Sequence, residues 1–281
     1  MTGNNITIKI LVDNKANAGL MKEHGFAIWI EAYGHKILFD TGQGKALIHN
    51  SAELGCDLSL ADALILSHGH YDHTGGVPFV FQCNPNIKIY YHSHVVRTRY
   101  VIRDTTGPKE ITMPQETKTA ILGLPASQAC RIAHPFRIYD NIGLSGPIPK
   151  MQSFEDTSGP FFLDPEGTRP DPLEDDMALW IQSDRGLIII TGCCHSGLIN
   201  TVNHVCRVSG QEKIFAVIGG FHLAHASHQR LEASCQALQG WNVDTIIPCH
   251  CTGDEAVAYL QNKLGEKVIV GYAGMVWNTN K

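Results

Sequence analysis

No apolar run in this chain of 281 residues reaches the roughly 20 residues that a membrane-spanning helix requires, which sets membrane insertion aside. Basic residues are scarce. The 22 Lys and Arg against 27 Asp and Glu give a formal net charge of −5. No basic arm is present, so binding of nucleic acid by broad phosphate neutralisation is excluded and RNA processing is disfavoured. No block of like charge exceeds Glu174-Asp175-Asp176, which reads as a solvated turn. Internal repeats and low-complexity tracts are absent. The nine cysteines are odd in number and lack regular spacing, which argues against a disulfide framework. No leader-like segment precedes the strand-like residues 6–12, so free thiols in a reducing, cytoplasmic compartment are expected.

What the chain does have is 43% hydrophobic residues, enough for a large buried core, and fifteen histidines, an excess that signals a site more than a fold. Alternating or continuous apolar runs predict strands at 6–12, 25–31, 35–40, 63–66, 87–91, 178–182, 186–191, 213–218, 245–247 and 267–270. Ala32-Tyr33-Gly34 has the length and glycine of a hairpin turn. Helical spacing is expected at 43–55, 197–208, 225–240 and 253–264, and Thr74-Gly75-Gly76-Val77-Pro78 opens a further short helix. Between about 95 and 176 proline and glycine recur and the pattern weakens. Short strands are expected at 131–137 and 142–144, within a substrate-loop insertion.

The densest chemistry is His68-Gly69-His70-Tyr71-Asp72-His73, directly behind the apolar Ala63-Leu64-Ile65-Leu66. Imidazole and carboxylate are the usual ligands of a catalytic zinc, whose site keeps one position open for water. His68 and His70 alternate on an extended backbone and so face the same way. Asp72 and His73 follow one turn later and can serve a second ion. A His-rich polar loop of no function is the plainer alternative, and the hydrophobic strand behind the motif weighs against it. Three further strands end on a histidine: Ile190 before His195, Ile218 before His222, and Ile247 before His250. Strand C-termini of layered α/β proteins converge on one edge, which would gather these side chains.

Those residues, with Asp40-Thr41-Gly42 closing the second hairpin strand, resemble the metallo-β-lactamase superfamily over most of the chain. Thr191-Gly192-Cys193-Cys194-His195-Ser196-Gly197, Gly219-Gly220-Phe221-His222-Leu223 and Pro248-Cys249-His250-Cys251-Thr252-Gly253 narrow the resemblance. They are similar to the branch containing 7,8-dihydropterin-6-methyl-4-(β-ribofuranosyl)aminobenzene-5′-phosphate synthase of methanopterin biosynthesis. The resemblance implies a single α/β domain over 1–281, built as a four-layer αββα sandwich. It implies one or two zinc ions, with Mn2+ or Fe2+ as alternatives. His68, His70 and His195 would hold the first ion, and Asp72, His73 and His250 the second. Many members of the superfamily bridge the ions with an Asp after a Thr-Gly turn. Here Cys193 or Cys194 stands at that place, and soft sulfur binds zinc well.

The expected activity is that of a metal-dependent enzyme of hydrolase type acting on an anionic, phosphorylated or pterin-like small molecule. It would use metal-activated water or a metal-polarised phosphate leaving group. Asp72 is a candidate to orient the nucleophile, and His222 a candidate proton donor or substrate contact, the plainer alternatives being a residue that supports the metal ligands or a helix N-terminal residue. Hydrolysis of another ester, thioester or lactam is the runner-up. A binding or regulatory protein of low turnover is the third reading, against which the intact ligand set argues. An oxygen-reducing flavin-iron relative is disfavoured by the missing carboxylate bridge. His92 and His94 read as structural or as supports to the site, and His225 and His228 as surface or packing residues. His24, His35, His49, His134 and His204 have no partner that the sequence names. Arg97, Arg99 and Arg103 are expected on a solvated helix face, with contact to an anionic substrate as the alternative.

Overall fold

Residues 7–39 are rich in β-branched and aromatic side chains, and they form an antiparallel meander of β1 (Thr7–Val12), β2 (Ala27–Ala32) and β3 (His35–Phe39). The turn between β2 and β3 places Tyr33 and Gly34 at φ 54° and 80°, as a two-residue hairpin of this twist requires. The computed structural model describes residues 5–103, 105–155 and 159–280. Contacts along the chain divide these into two units.

The first unit holds residues within 5–132, 159–175 and 272–280. Its seven-stranded sheet runs in the order β16-β1-β2-β3-β4-β5-β8. The added strands are β4 (Ala63–Ile65), β5 (Lys88–Tyr91), β8 (Ala129–Arg131) and β16 (Val276–Asn278). From β3 to β8 the neighbours are parallel. Parallel strands are buried on both faces, which is why β4 reads as a continuous apolar run. Trp29, Leu38, Leu64 and Ile89 pack with helices α1 (Lys45–Glu53), α3 (Val77–Cys83) and α4 (Gln115–Leu122) through Ala46, Leu47, Val77, Val80 and Ile121. Between β4 and α3 lies a single helical turn, α2 (Tyr71–Thr74). A small sheet of β6 (Tyr100–Arg103), β7 (Gly107–Glu110) and β11 (Phe161–Phe162) completes the unit.

The second unit holds residues within 133–155 and 176–271. Its six-stranded sheet has the order β15-β14-β13-β12-β10-β9. The strands are β9 (Phe136–Tyr139), β10 (Ile142–Leu144), β12 (Ala178–Ser183), β13 (Gly186–Thr191), β14 (Ile214–Gly220) and β15 (Thr245–Cys249). Helices α5 (Leu198–Ser209), α6 (His228–Gly240) and α7 (Asp254–Leu264) bury Val202, Val205, Leu238 and Leu260 against Ile189, Val217 and Ile246. β13, β14 and β15 are parallel, with Thr191 paired to Gly219 and Gly219 to Pro248. All three therefore end at the same edge. Among the described residues, no helix is long and apolar enough to cross a membrane.

Several expectations need correction. Residues 267–270 are not a strand: Val268 makes one isolated bridge to Ile246, and the last strand is β16, which pairs with β1. Gly265–Lys267 is a short 3-10 turn, so the apolar run of 268–270 is too brief to extend a ladder. The stretch from about 95 to 176, of which residues 104 and 156–158 lie outside the described residues, contributes β8 to one sheet and β9 and β10 to the other. The strand expected at 142–144 is β10, whereas the one expected at 131–137 is instead the end of β8 and the start of β9, parted around Pro135. Arg97, Arg99 and Arg103 lie on no helix face, since Arg103 ends β6 and Arg97 follows a 3-10 turn.

Arg99 and Asp175 are both fully buried, which overturns the solvated face and the solvated turn alike. The Arg99 guanidinium donates to both oxygens of Asp175, at 2.8 and 2.6 Å, and its Nε lies 2.7 Å from Asp171. Burial by itself would raise the Asp175 carboxyl, but the charge and hydrogen bonds of Arg99 outweigh it and hold it below the ordinary carboxylate range. Removing one member of such a buried set strands an uncompensated charge. Arg99→Met is expected to destabilise the protein by about 3–5 kcal/mol, read from the shift of the urea midpoint.

Candidate metal centre

In the first unit the donor groups are built outward from the ends of β3 and β4. Asp40 follows β3 in the left-handed region, φ 59°, and is fully buried. One of its oxygens accepts the Ser67 amide at 2.7 Å. The other accepts the Ser67 hydroxyl at 2.6 Å and faces His73 Nδ1 at 2.7 Å. A carboxylate at Nδ1 fixes the tautomer that leaves Nε2 as a metal donor. Ser67 Oγ in turn lies 2.9 Å from His68 Nδ1, which points His68 Nε2 the same way. His68 Nε2 and His70 Nδ1 converge to 3.0 Å, and the His68 and His73 rings are 4.2 Å apart.

The backbone of this loop is clamped as well. Gly69 N donates to Asp175 at 2.8 Å, and a Cβ on Gly69 would lie 2.1 Å from the Val95 carbonyl oxygen, so only glycine fits between the two histidines. The turn α2 carries Asp72 and His73, with Asp72 3.8 Å from His73 Nε2 and 3.3 Å from His24. Burial and the nearby charge of Arg99 push His70 down to about 3 from an ordinary 6.5, so it is a neutral donor at physiological pH.

In the second unit the loops after β13, β14 and β15 bring Cys193, His195, His222, His250 and Cys251 to one edge. The donor atoms of Cys193, His195 and His222 lie within 4.8 Å of one another, and so do those of Cys193, His250 and Cys251. The His195 and His222 rings are 4.5 Å apart. Cys194, His222 and His250 all turn through the left-handed region, at φ 60°, 49° and 46°. Strained residues of this kind, at a cost of about 1–3 kcal/mol each, gather where a side chain must be re-aimed. Asp176, also buried, accepts the Ser196 amide at 2.7 Å and so holds the loop next to His195. Glu155 accepts the amides of Ile199 and Asn200 and caps α5 from outside the helix. Burial opposes ionisation of Cys251, yet hydrogen bonds from Cys193 and His222 and the charges of His250 and His222 hold its thiol well below the ordinary range.

The geometry separates the two adjacent cysteines. Cys193 stands among the imidazoles, whereas Cys194 packs into the hydrophobic core with its sulfur 3.2 Å from Thr201 Oγ1, and burial raises its thiol well above the ordinary value. His222 is not a helix N-terminal residue, because α6 begins six residues later at His228. His94 joins Glu174 at 2.8 Å and Arg97 at 2.6 Å, and the His92 ring accepts the His94 amide, a local brace. His204 bonds the Ser145 carbonyl at 2.9 Å and His49 lies 3.0 Å from the Gly19 carbonyl, while His225 and His134 are exposed. His228 meets the Tyr259 ring edge-on, and His35 lies 3.9 Å from Asp62. Sequence reasoning missed the supporting roles of Asp40, Ser67, Asp175 and Asp176. Only the Asp40-Thr41-Gly42 turn carried a signal.

A family model of the metallo-β-lactamase superfamily matches residues 21–250, and the chain belongs to that superfamily and has its mixed α/β fold. It is 32% identical over 270 residues to an uncharacterized protein of Methanocaldococcus jannaschii, covering 96% of this chain and 98% of the relative. It is 31% identical over 287 residues to the 7,8-dihydropterin-6-methyl-4-(β-D-ribofuranosyl)-aminobenzene-5′-phosphate synthase of the same organism, covering 97% and 96%. Among solved structures it is similar to Tm1679, a metal-dependent hydrolase of the β-lactamase superfamily, with a TM-score of 0.82, 28% identity and coverage of 97% and 98%. The metallo-β-lactamase fold protein YhfI of Bacillus subtilis shares the fold alone, at a TM-score of 0.58 and 12% identity over 98% and 99% of the two chains.

Two outcomes test this construction. Asp40→Ala removes the partner that orients His73 and Ser67, and metal affinity measured by chelator competition is expected to fall about 10–100-fold. His70 is neutral in the fold but takes a proton in the unfolded chain below 6.5. Its contribution to the stability of the metal-free protein is complete above that pH and is lost as the pH falls from 6.5 towards about 3. Urea unfolding of a metal-free pH series should show this slope, and the His70→Gln protein should show a shallower one.

Proposed function

We propose that the protein is a metal-dependent enzyme that acts on a phosphorylated or pterin-like small molecule. The observation that carries this reading is end-to-end similarity to the dihydropterin-type synthase at 31% identity, together with loops built to aim imidazole and carboxylate donors. In this reading His68, His70 and His195 hold one ion, and Asp72, His73 and His250 a second. The donor set suits such an ion: His73 and His68 have their Nδ1 atoms held by the Asp40 carboxylate and the Ser67 hydroxyl, and the Asp72 carboxylate stands near His73. Zinc is favoured, with manganese or iron as alternatives. A bound ion supplies Lewis acidity that eases ionisation of water near neutral pH and draws charge from a phosphoryl or acyl oxygen.

The chain's own groups divide the remaining work. Asp40 and Ser67 hold His73 and His68 in register, so little reorganisation is needed when a ligand arrives. Asp72, on a single rigid turn, orients the attacking group. His222, re-aimed by its left-handed backbone, holds or delivers a proton at its ring nitrogen to the departing group. Similarity to a metal-dependent hydrolase over nearly the whole chain favours a second reading, hydrolysis of another ester, thioester or lactam with the same residues. The likeness does not choose between these chemistries, since fold does not fix reaction.

A panel of pterin phosphates, phosphodiesters, thioesters and lactams separates the two readings. Turnover is expected with the phosphorylated or pterin-bearing compounds and at background with the rest. Turnover confined to thioesters or lactams refutes the first reading in favour of the second. His70→Ala is expected to lose bound metal and activity together, and retention of both removes the metal assignment. His222→Gln is expected to keep its metal while kcat falls about 100-fold or more.

A further inference from the structure

The second unit carries sulfur where superfamily members of the ordinary kind carry a bridging carboxylate, and it carries more of it than a simple replacement supplies. Cys193 and Cys251 come from different loops, after β13 and β15, and their sulfurs and a His250 ring nitrogen lie within 4.8 Å of one another. The Cys251 sulfur reaches the Cys193 carbonyl at 3.4 Å. Gly220, on the strand between those loops, makes the approach possible: a Cβ there would lie 2.6 Å from Cys251 Sγ and 3.3 Å from Cys193 Cα. A tetrahedral zinc with about 2.3 Å to sulfur and about 2.0 Å to nitrogen sets its ligands roughly 3.3–3.8 Å apart, a separation that donors lying within 4.8 Å of one another reach with small side-chain shifts.

We infer that Cys193, His250 and Cys251 form a three-ligand, two-sulfur cation site selective for zinc or a similarly soft divalent ion. The inference rests on the metal reading above and, at the ion held by His250, puts Cys193 and Cys251 in the places given there to Asp72 and His73. Two thiolates and one imidazole leave a position open, the arrangement of a catalytic rather than a structural zinc. Thiolates also disfavour manganese and magnesium, which prefer oxygen, and so narrow the choice of metal. Cys251 thereby becomes a ligand in its own right, although it sits one residue after the histidine that carries the family pattern. Cys194 is excluded by its place in the core.

The test uses the full-length protein, purified with reductant, stripped of metal and titrated with Co2+. Thiolate-to-cobalt charge-transfer absorption in the near ultraviolet is expected. The band should drop by about half in Cys193→Ser and in Cys251→Ser, and vanish in the double variant. X-ray absorption of the zinc-loaded wild-type protein should show sulfur at about 2.3 Å, a readout that needs no variant to fold. Cobalt or zinc that binds without the band and without sulfur in its shell overturns the sulfur site and leaves the histidine-carboxylate reading standing. A band unaltered in Cys251→Ser overturns the role of Cys251. Failure of the wild-type protein to bind any divalent ion overturns both readings.

Discussion

Imidazoles that are to hold a cation must be buried, neutral and aimed, and in this protein carboxylates under the loops provide the aim. Asp40 ties Ser67 and His73 together beside His68. Asp175 holds the Gly69 amide between His68 and His70, and Asp176 holds the Ser196 amide beside His195. Each carboxylate accepts backbone or side-chain donors in a place that water does not reach, where such bonds are strong and an unpaired group is costly. Asp175 remains charged there only because Arg99 faces it, so the ion set of Arg99, Asp171 and Asp175 is a condition for the His68–His70 loop.

The sheets supply the other condition. β3, β4 and β5 run parallel and end together, as do β13, β14 and β15. A parallel strand needs a crossover before its neighbour, so residues brought side by side at a strand end are separated by a helix and a loop in sequence. Left-handed turns at Asp40, Cys194, His222 and His250 convert these ends into inward-facing groups. Their local cost is carried by the rigid apolar sheets behind them, in which Leu64, Ile65, Ile189, Ile190 and Ile218 are fully buried.

Sulfur stands among the imidazoles of the second unit, at Cys193 and Cys251. A thiolate holds a borderline ion more tightly than a carboxylate does and lowers its net charge, which shifts the balance between activating a nucleophile and polarising a leaving group. A chemistry in which the ion steadies a departing phosphate asks for a firmly held cation more than for a strongly acidic one. On the proposed reading, Cys193 and Cys251 supply that hold.

The hairpins and the placing of histidines at strand ends were legible from the chain because they depend on local signals: apolar runs of strand length, a glycine turn, and histidines packed within a few residues of a strand end. The supports were not legible. Asp175 and Asp176 look like any acidic turn, and Arg99 like any surface cation, until burial removes water and leaves protein groups as partners, Arg99 and the Gly69 amide for Asp175 and the Ser196 amide for Asp176. The same holds for β16, whose three residues acquire a strand only by lying beside β1, and for the bounds of β8 and β9, blurred by Pro135 between them, whereas β10 was legible at 142–144. The sequence by itself determined which chemical groups this protein offers and the strand ends that carry them. Only the tertiary structure decided which cysteine faces the imidazoles, which charges are buried, and how each ring is turned, because those choices depend on what surrounds a residue in space after water has been expelled.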